Sequence, residues 1–286
     1  MDNFVESPTI KEKAKLAQNR RNYVVDVDKY ILVHVDGRSF SKMVKNKFEK
    51  PFDRTFINMM NETAIYLCEN IQCAKIAYVQ SDEISLLIKK DNPESDIFFG
   101  GRLCKMQSII ASLATSKFNQ LASIEAIKSH ANYYVSEKDK LGPADVFIYS
   151  VKDAIDFMEV MPIYQFDCKV WDVDTANDAF AWFLFRNIDC VKNSKQQFVQ
   201  TYLPHKILLK HNTDEQVLMA IDEKGKDWKS CSEDEKYGRI ISKEEYEFTT
   251  MDGTPYIRTK WVAHDGTDLT DVDNRNKFLE KYDFFK

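Results

Sequence analysis

Two short acidic turns carry the chemistry this sequence can perform. One ends the run Ile31-Leu32-Val33-His34-Val35 in Asp36-Gly37-Arg38. The other is Gln80-Ser81-Asp82-Glu83, set between Tyr78-Val79 and Ile84-Ser85-Leu86-Leu87-Ile88. The first reads as a β-branched strand that delivers an aspartate at its end. The second reads as a β-hairpin with two adjacent carboxylates at its tip. Strand ends of this kind can meet side by side in a sheet. Such a pair suits Mg²⁺, which takes few carboxylates and keeps positions for water and phosphate oxygens. Two ions held this way serve an in-line phosphoryl displacement. Taken singly, an Asp-Gly is a turn and a Ser-Asp-Glu is a solvated loop. What points to metal is the order strand–Asp-Gly, helix, strand–Ser-Asp-Glu–strand.

The elements that position these turns follow from periodicity. Tyr30 to Val35 is the first strand. Asp53 caps a helix in which Phe56, Met60, Ala64 and Leu67 recur at helical spacing, up to about Asn70. Lys75 to Val79 and Ile84 to Ile88 are the second and third strands, and Lys89 to Ser95 a polar loop. Gly100 to about Ala122 is a long helix with Leu103, Met106, Ile110, Leu113 and Phe118 facing a core. Glu137 to Pro143 reads as a loop, Val146 to Ser150 as a strand in an insertion, and Met161 to Val170 as a further strand. Thr175 or Asp174 caps a helix from Asn177 to about Tyr202, and Pro204 breaks it. A short helix spans Asp214 to Glu223, and Arg239 to Ile241 and Tyr256 to Val262 read as a terminal hairpin. The tail after His264 carries no assignable pattern.

The first half therefore reads β-α-β-β-α-β. The expected class is α+β, a ferredoxin-like palm with two helices on one face of an antiparallel sheet. Metal carboxylates sit at the first strand's end and in the central hairpin of polymerase and nucleotide-cyclase palms. Residues 1–174 are expected to form this catalytic unit with an N-terminal arm. Residues 175–286 form a helical and β-hairpin extension packed on it.

The chain has 286 residues, 44% of them hydrophobic, enough for a sizeable core. The formal charge of −5 excludes a uniformly basic nucleic-acid coat but not a local basic patch. Lys11, Lys13, Lys15, Arg20 and Arg21, and Lys42, Lys45, Lys47 and Lys50, are two such stretches. The six cysteines are scattered with no Cys-x-x-Cys pair, so they read as reduced thiols of a cytoplasmic protein. No signal peptide is visible, and the apolar patch from Ala179 to Phe185 is too short to span a bilayer.

Asp36-Gly37-Arg38-x-Phe40, Lys50-Pro51-x-Asp53 and Gln80-Ser81-Asp82-Glu83 together resemble the signature of the tRNA-histidine guanylyltransferase-like family, the 3′→5′ polymerases. Phe166-Asp167-x-Lys169-Val170 and Arg186-Asn187-Ile188-Asp189-Cys190-Val191-Lys192-Asn193 resemble a second cluster of that family. The likeness runs from about Tyr30 to Gly238. It implies addition of nucleotides to the 5′ end of tRNA or a similar RNA. ATP activates a 5′-monophosphate, a nucleotide's 3′-hydroxyl attacks, and AMP leaves; a 5′-triphosphate end needs no activation. By this resemblance Asp36, Asp82 and the Gly37 carbonyl hold two Mg²⁺ ions, and Glu83 supports them. Backbone N–H groups from Gly37 to Phe40, with Arg38, Ser39, Lys50 and Ser81, bind ATP, GTP or another nucleoside triphosphate. Arg186, Asp189 and Asn193 contact RNA, and the chain is a homo-oligomer, a tetramer in much of the family.

The sequence departs from the pattern in places. Val79 replaces a common glycine, Asn187 a glutamine, and Lys169 an arginine whose bidentate fork lysine lacks. No histidine stands in Asp189 to Ser194, where members acting on histidine tRNA carry one. The resemblance is thus nearer to the like-proteins that repair tRNA 5′ ends by templated addition. Addition of a single G to histidine tRNA is the alternative. A palm-domain nucleotide cyclase or oligonucleotide synthase, and a non-catalytic RNA-binding protein, are the competing classes. Arg186 and Asp189, three apart on a helix, also suit a plain surface pair.

Overall fold

Ile31, Leu32, Val33 and Val35 are buried because both faces of their strand are covered, which is why successive positions are apolar, with only His34 among them polar. That strand, β1 (Tyr30–Gly37), is an inner one of a six-stranded sheet. The computed structural model describes residues 9, 12, 23–40, 48–136, 142–250, 253, 255–282 and 285. The basic stretches at 10–21 and at Lys42, Lys45 and Lys47 fall largely outside them.

After β1 come α1 (Arg54–Asn70), β2 (Ala74–Gln80), β3 (Glu83–Ile88), a 3₁₀ turn at Phe98–Gly101, and α2 (Leu103–Ser136). Then follow α3 (Pro143–Val160), β4 (Phe166–Val173) and α4 (Ala176–Tyr202). The chain continues with α5 (His205–Leu208), α6 (Thr213–Lys224), α7 (Glu233–Tyr237), β5 (Arg239–Thr249), β6 (Pro255–Asp265) and α8 (Val272–Lys281). All neighbouring strands pair antiparallel, in the order β4-β1-β3-β2-β5-β6. The fold is α+β.

Ile31, Val33, Val35, Ala77, Ile84 and Leu86 pack with Met60, Leu67, Met106 and Phe118, so α1 and α2 cover one face. Leu32, Ile76, Tyr78 and Leu87 pack with Phe180, Phe183 and Phe278, so α4 and α8 cover the other. The strand alternation sends odd and even positions of β1 to different helix layers.

Several segments differ from expectation. Val146 to Ser150 is helical, within α3, and the expected unit gains a helix before β4. Pro143 at the first turn and Asp145 beside it start that helix, overriding the β propensity of the Val-Phe-Ile-Tyr run. Residues 137–141 lie outside those described. β4 begins at Phe166 rather than Met161. Asn119 of α2 holds both backbone groups of Tyr164, donating to its carbonyl at 2.8 Å and accepting from its N–H at 3.1 Å, so this segment follows the helix and not the sheet. The unassigned tail contains α8, capped by Asp271. Thr175 caps α4 through a reciprocal box with Asp178.

Candidate active site

The two acidic turns meet. Gly37 N–H donates to the Asp82 carbonyl at 3.1 Å, tying the end of β1 to the β2–β3 turn. In the register Asp36 stands opposite Glu83 on β3 and Asp167 on β4. Three carboxylate residues thus cross three strands in one row, pointing to one face. Ser81 takes a left-handed backbone, φ 44°, at the head of the turn. Its hydroxyl donates to Asp82 Oδ1 at 2.9 Å.

Gly37 is a glycine for space. A Cβ there would lie 2.5 Å from the Phe40 ring and 2.7 Å from Asp82 Oδ2. Phe40 is buried among Phe56, Phe118, Tyr164 and Phe166 and anchors the turn in the core. Its ring also forms part of the wall of the cleft beside Asp82. The Arg38 guanidinium donates to Gln165 Oε1 at 3.1 Å. Its backbone N–H donates to the Gln165 carbonyl at 2.8 Å. Two of the N–H groups expected to cradle a triphosphate, those of Gly37 and Arg38, are therefore already bonded within the protein. Only those of Ser39 and Phe40 remain for such a cradle.

A cleft of about 360 Å³ opens here, lined by Gly37, Ser39, Phe48, Lys50, Ser81 and Asp82 among others. Asp53 fixes its floor by accepting from Glu49 N–H at 2.8 Å and from Phe56 N–H at 2.8 Å. Gln197 of α4 donates to the Pro51 carbonyl, so α4 holds the strap that bears Lys50.

Burial raises the Asp36 carboxyl above its ordinary range, and the facing Glu83 and Asp167 raise it further; Lys169 and Arg186 oppose them. Burial pushes Asp82 up to about 6, with smaller contributions from Asp36 and Glu83. A carboxylate pair crowded in this way is short of positive charge. Among the described residues no group of three or more His, Cys, Asp or Glu side chains is arranged to hold a metal ion. The protein's offer is thus two carboxylates beside a glycine backbone. That set fits a hard cation completed by water and phosphate oxygens and does not fit a fully protein-ligated one. His34, at the strand position before Val35, is held low, to about 4, chiefly by burial, and its Nδ1 lies 3.4 Å from Ser85 Oγ. It is a neutral packed ring.

Arg186, expected at RNA, packs beside the acidic turn. It is 8% exposed and pairs with Glu83 of the hairpin and, at 3.1 Å, with Asp189. Asn193 donates to the same Asp189 carboxylate at 3.1 Å. Gln80 donates to Glu83 Oε2 at 2.8 Å. The three residues expected at RNA form a chain that begins at the acidic turn and reaches the surface at Asp189, which is half-buried, and Asn193, which is exposed. Both ion pairs use Arg186 Nη2, while its buried Nε has no hydrogen-bond partner among the described residues.

Two residues were missed as structural determinants. Asp167, within the Phe-Asp-x-Lys-Val motif, adds the third carboxylate of the row. Asn187 is fully buried and donates to the Tyr78 hydroxyl, the Tyr237 carbonyl and the Thr267 carbonyl, while accepting from Leu269 N–H at 2.9 Å. Its position within the second motif was the only available signal.

Known proteins agree on the family. The profile of tRNAHis guanylyltransferase matches residues 12–173, more than half of the chain. "Uncharacterized protein R259" of Acanthamoeba polyphaga mimivirus is 26% identical over 258 residues, 85% of this chain and 80% of its own. A probable tRNA(His) guanylyltransferase of Dictyostelium discoideum is 38% identical over 90 residues, 31% of this chain and 34% of its own, so this match spans about a third of each protein. A bacterial tRNA(His) guanylyltransferase-like protein, solved in complex with ATP, superposes with a TM-score of 0.74 at 25% identity, over 97% of this chain and 99% of the other. The tRNA(His) guanylyltransferase of Saccharomyces cerevisiae shares the fold with a TM-score of 0.58 at 20% identity, over 79% of this chain and 91% of its own.

Proposed function

Because the chain belongs to the tRNAHis guanylyltransferase family, we propose that it is a nucleotidyltransferase that extends the 5′ end of tRNA. The observation that carries this reading is the tie from Gly37, the residue after Asp36, to the Asp82 turn, whose carboxylate lines a cleft that also holds Gly37, Ser39 and Lys50. The names of the relatives favour guanosine addition to histidine tRNA over the templated 5′-end repair expected from sequence. Guanosine addition is therefore the leading reading. The repair reading is kept on one observation, the lack of a histidine in Asp189 to Ser194.

The chain's residues divide the work. Asp36 and Asp82, with the Gly37 carbonyl, would hold Mg²⁺, two ions in this reading. Bound there, the ions would lower the pKa of the attacking 3′-hydroxyl and neutralise phosphate charge. Lys50 places a point charge on the triphosphate. The Ser39 and Phe40 N–H groups, at a left-handed turn with φ 59° at Ser39, receive a phosphate oxygen. Arg186 holds Glu83 in place beside Asp82. The sheet and its helices compose a palm in this reading. The incoming nucleotide's 3′-oxygen bonds to the 5′ phosphorus of the RNA, and AMP or pyrophosphate departs.

The deciding experiment incubates the protein with Mg²⁺, ATP, all four nucleoside triphosphates, and either histidine tRNA or 5′-truncated tRNA of varied opposing base. Addition of G to histidine tRNA alone, whatever base stands opposite, supports guanylyltransfer. Addition that follows the opposing base supports repair. Cyclic or linear nucleotide products formed without RNA would overturn both.

A further inference from the structure

Lys50 lines the carboxylate cleft and is exposed, so the main chain on either side of it sets where its ammonium stands. That main chain is held at two points. Before Lys50, Glu49 N–H donates to the Asp53 carboxylate at 2.8 Å. After it, the Pro51 carbonyl accepts from Gln197 Nε2. Proline has no N–H, so this carbonyl is the main-chain polar group that Pro51 can offer. Gln197 comes from α4, 146 positions away in sequence. It too is exposed, and it lines the same cleft as Lys50, Ser81 and Asp82. An exposed glutamine adds little to a core, so packing does not account for its bond to the strap. Arg186 and Gln197 lie about three turns apart on one face of α4. Arg186 holds Glu83 of the acidic turn at one end of that face. Gln197 holds the strap at the other.

We propose that Gln197 is a positioning residue for a bound triphosphate: by holding the Pro51 carbonyl it keeps the Lys50 ammonium at the cleft, braced by the same helix face that holds the acidic turn. The inference rests on the nucleotidyltransferase reading above. Lysine is a point charge on a flexible stem, so its worth to a phosphate depends on how narrowly its backbone is placed. Without the bond from Gln197, Lys50 is still present and charged, but the strap is tied on one side only, and binding must then pay for ordering it. Two other roles for Gln197 predict different results. A direct contact between Gln197 and the ligand would act whether or not Lys50 is there. A role in the fold alone would weaken every ligand alike.

The test uses the full chain with Mg²⁺ and the variants Gln197→Met, Lys50→Met and the two combined, each checked for folding by circular dichroism and melting. Equilibrium binding is measured for ATP, for GTP and for AMP, which lacks the outer phosphates. Gln197→Met should weaken ATP and GTP by about fivefold to tenfold, as loss of one hydrogen bond does, and leave AMP within about twofold of wild type. In the Lys50→Met background the same substitution should cost less than about twofold, because the two residues act as a unit. Equal losses in both backgrounds would assign Gln197 to the ligand directly and overturn the proposal. Equal weakening of AMP and ATP would mark a fold effect and overturn it too, as would wild-type affinity in Gln197→Met. Should Gln197→Met fail to fold, Gln197→Ala takes its place in the same comparison. Because binding is read without turnover, a chain that shows the coupling yet extends no tRNA refutes the proposed function and leaves the role of Gln197 standing. A chain that binds no triphosphate overturns both.

Discussion

Arg186, on α4, ion-pairs with Glu83, the residue after Asp82, across 103 positions of sequence. A buried guanidinium between Glu83 and Asp189 makes this pair the hinge between the helix layer and the acidic turn. Replacing Arg186 by Met leaves two carboxylates facing each other without a cation, which costs about 3 kcal/mol or more at such buried sites. We expect Arg186→Met to lower kcat strongly while the salt dependence of RNA binding keeps its wild-type slope. A slope reduced by about one, as loss of a phosphate contact gives, would restore the direct RNA role.

Asp36→Ala and Asp82→Ala should each abolish nucleotide addition. Both carboxylates are raised by burial and by neighbouring acids, the arrangement of ligands and not of core groups. The measurement is product sizing on denaturing gels, with melting curves showing that each variant folds. Turnover near wild type in either folded variant sinks their assignment as ligands.

Asp82 also sets a pH dependence. Its folded value, about 6, lies above the ordinary 3.8. A raised carboxyl gives stability that is full below the ordinary value and lost as pH climbs through the folded one. The chelator-treated chain should therefore lose about 1–3 kcal/mol from this group between about pH 4 and about pH 6. Asp82→Asn should remove that loss and melt higher than wild type near neutral pH. Saturating Mg²⁺ should raise the wild-type melting temperature and leave Asp82→Asn almost unmoved.

Asn187→Leu should cost about 3 kcal/mol, because it strips three acceptors and one donor of a buried partner at once. Chemical denaturation measures it. A loss below about 1 kcal/mol would mean that water replaces the amide.

The acidic turns were legible because each needs only local signals: a β-branched run, a glycine, a polar tip between apolar strands. The helix at α1 was legible through Asp53 and its spaced apolar residues. What was not legible depends on distant partners. Nothing near Arg186 in sequence reveals Glu83 as its partner. Gly37 and Arg38 N–H groups looked available until the Asp82 and Gln165 carbonyls were found to accept them. The helix α3 misled because Val146, Phe147, Ile148 and Tyr149 favour strands, yet Pro143 starts a helix. The tail hid α8 because its apolar residues are sparse, Phe278 being the one buried within it.

β1 is hydrogen-bonded along both edges, to β3 and β4, and covered on both faces. Its amides should therefore be among the last to exchange with solvent. Asp36 rides on the last strand to come apart. Heat should then silence the enzyme and unfold it at the same temperature, with no earlier window in which a loosened site sits in an intact fold.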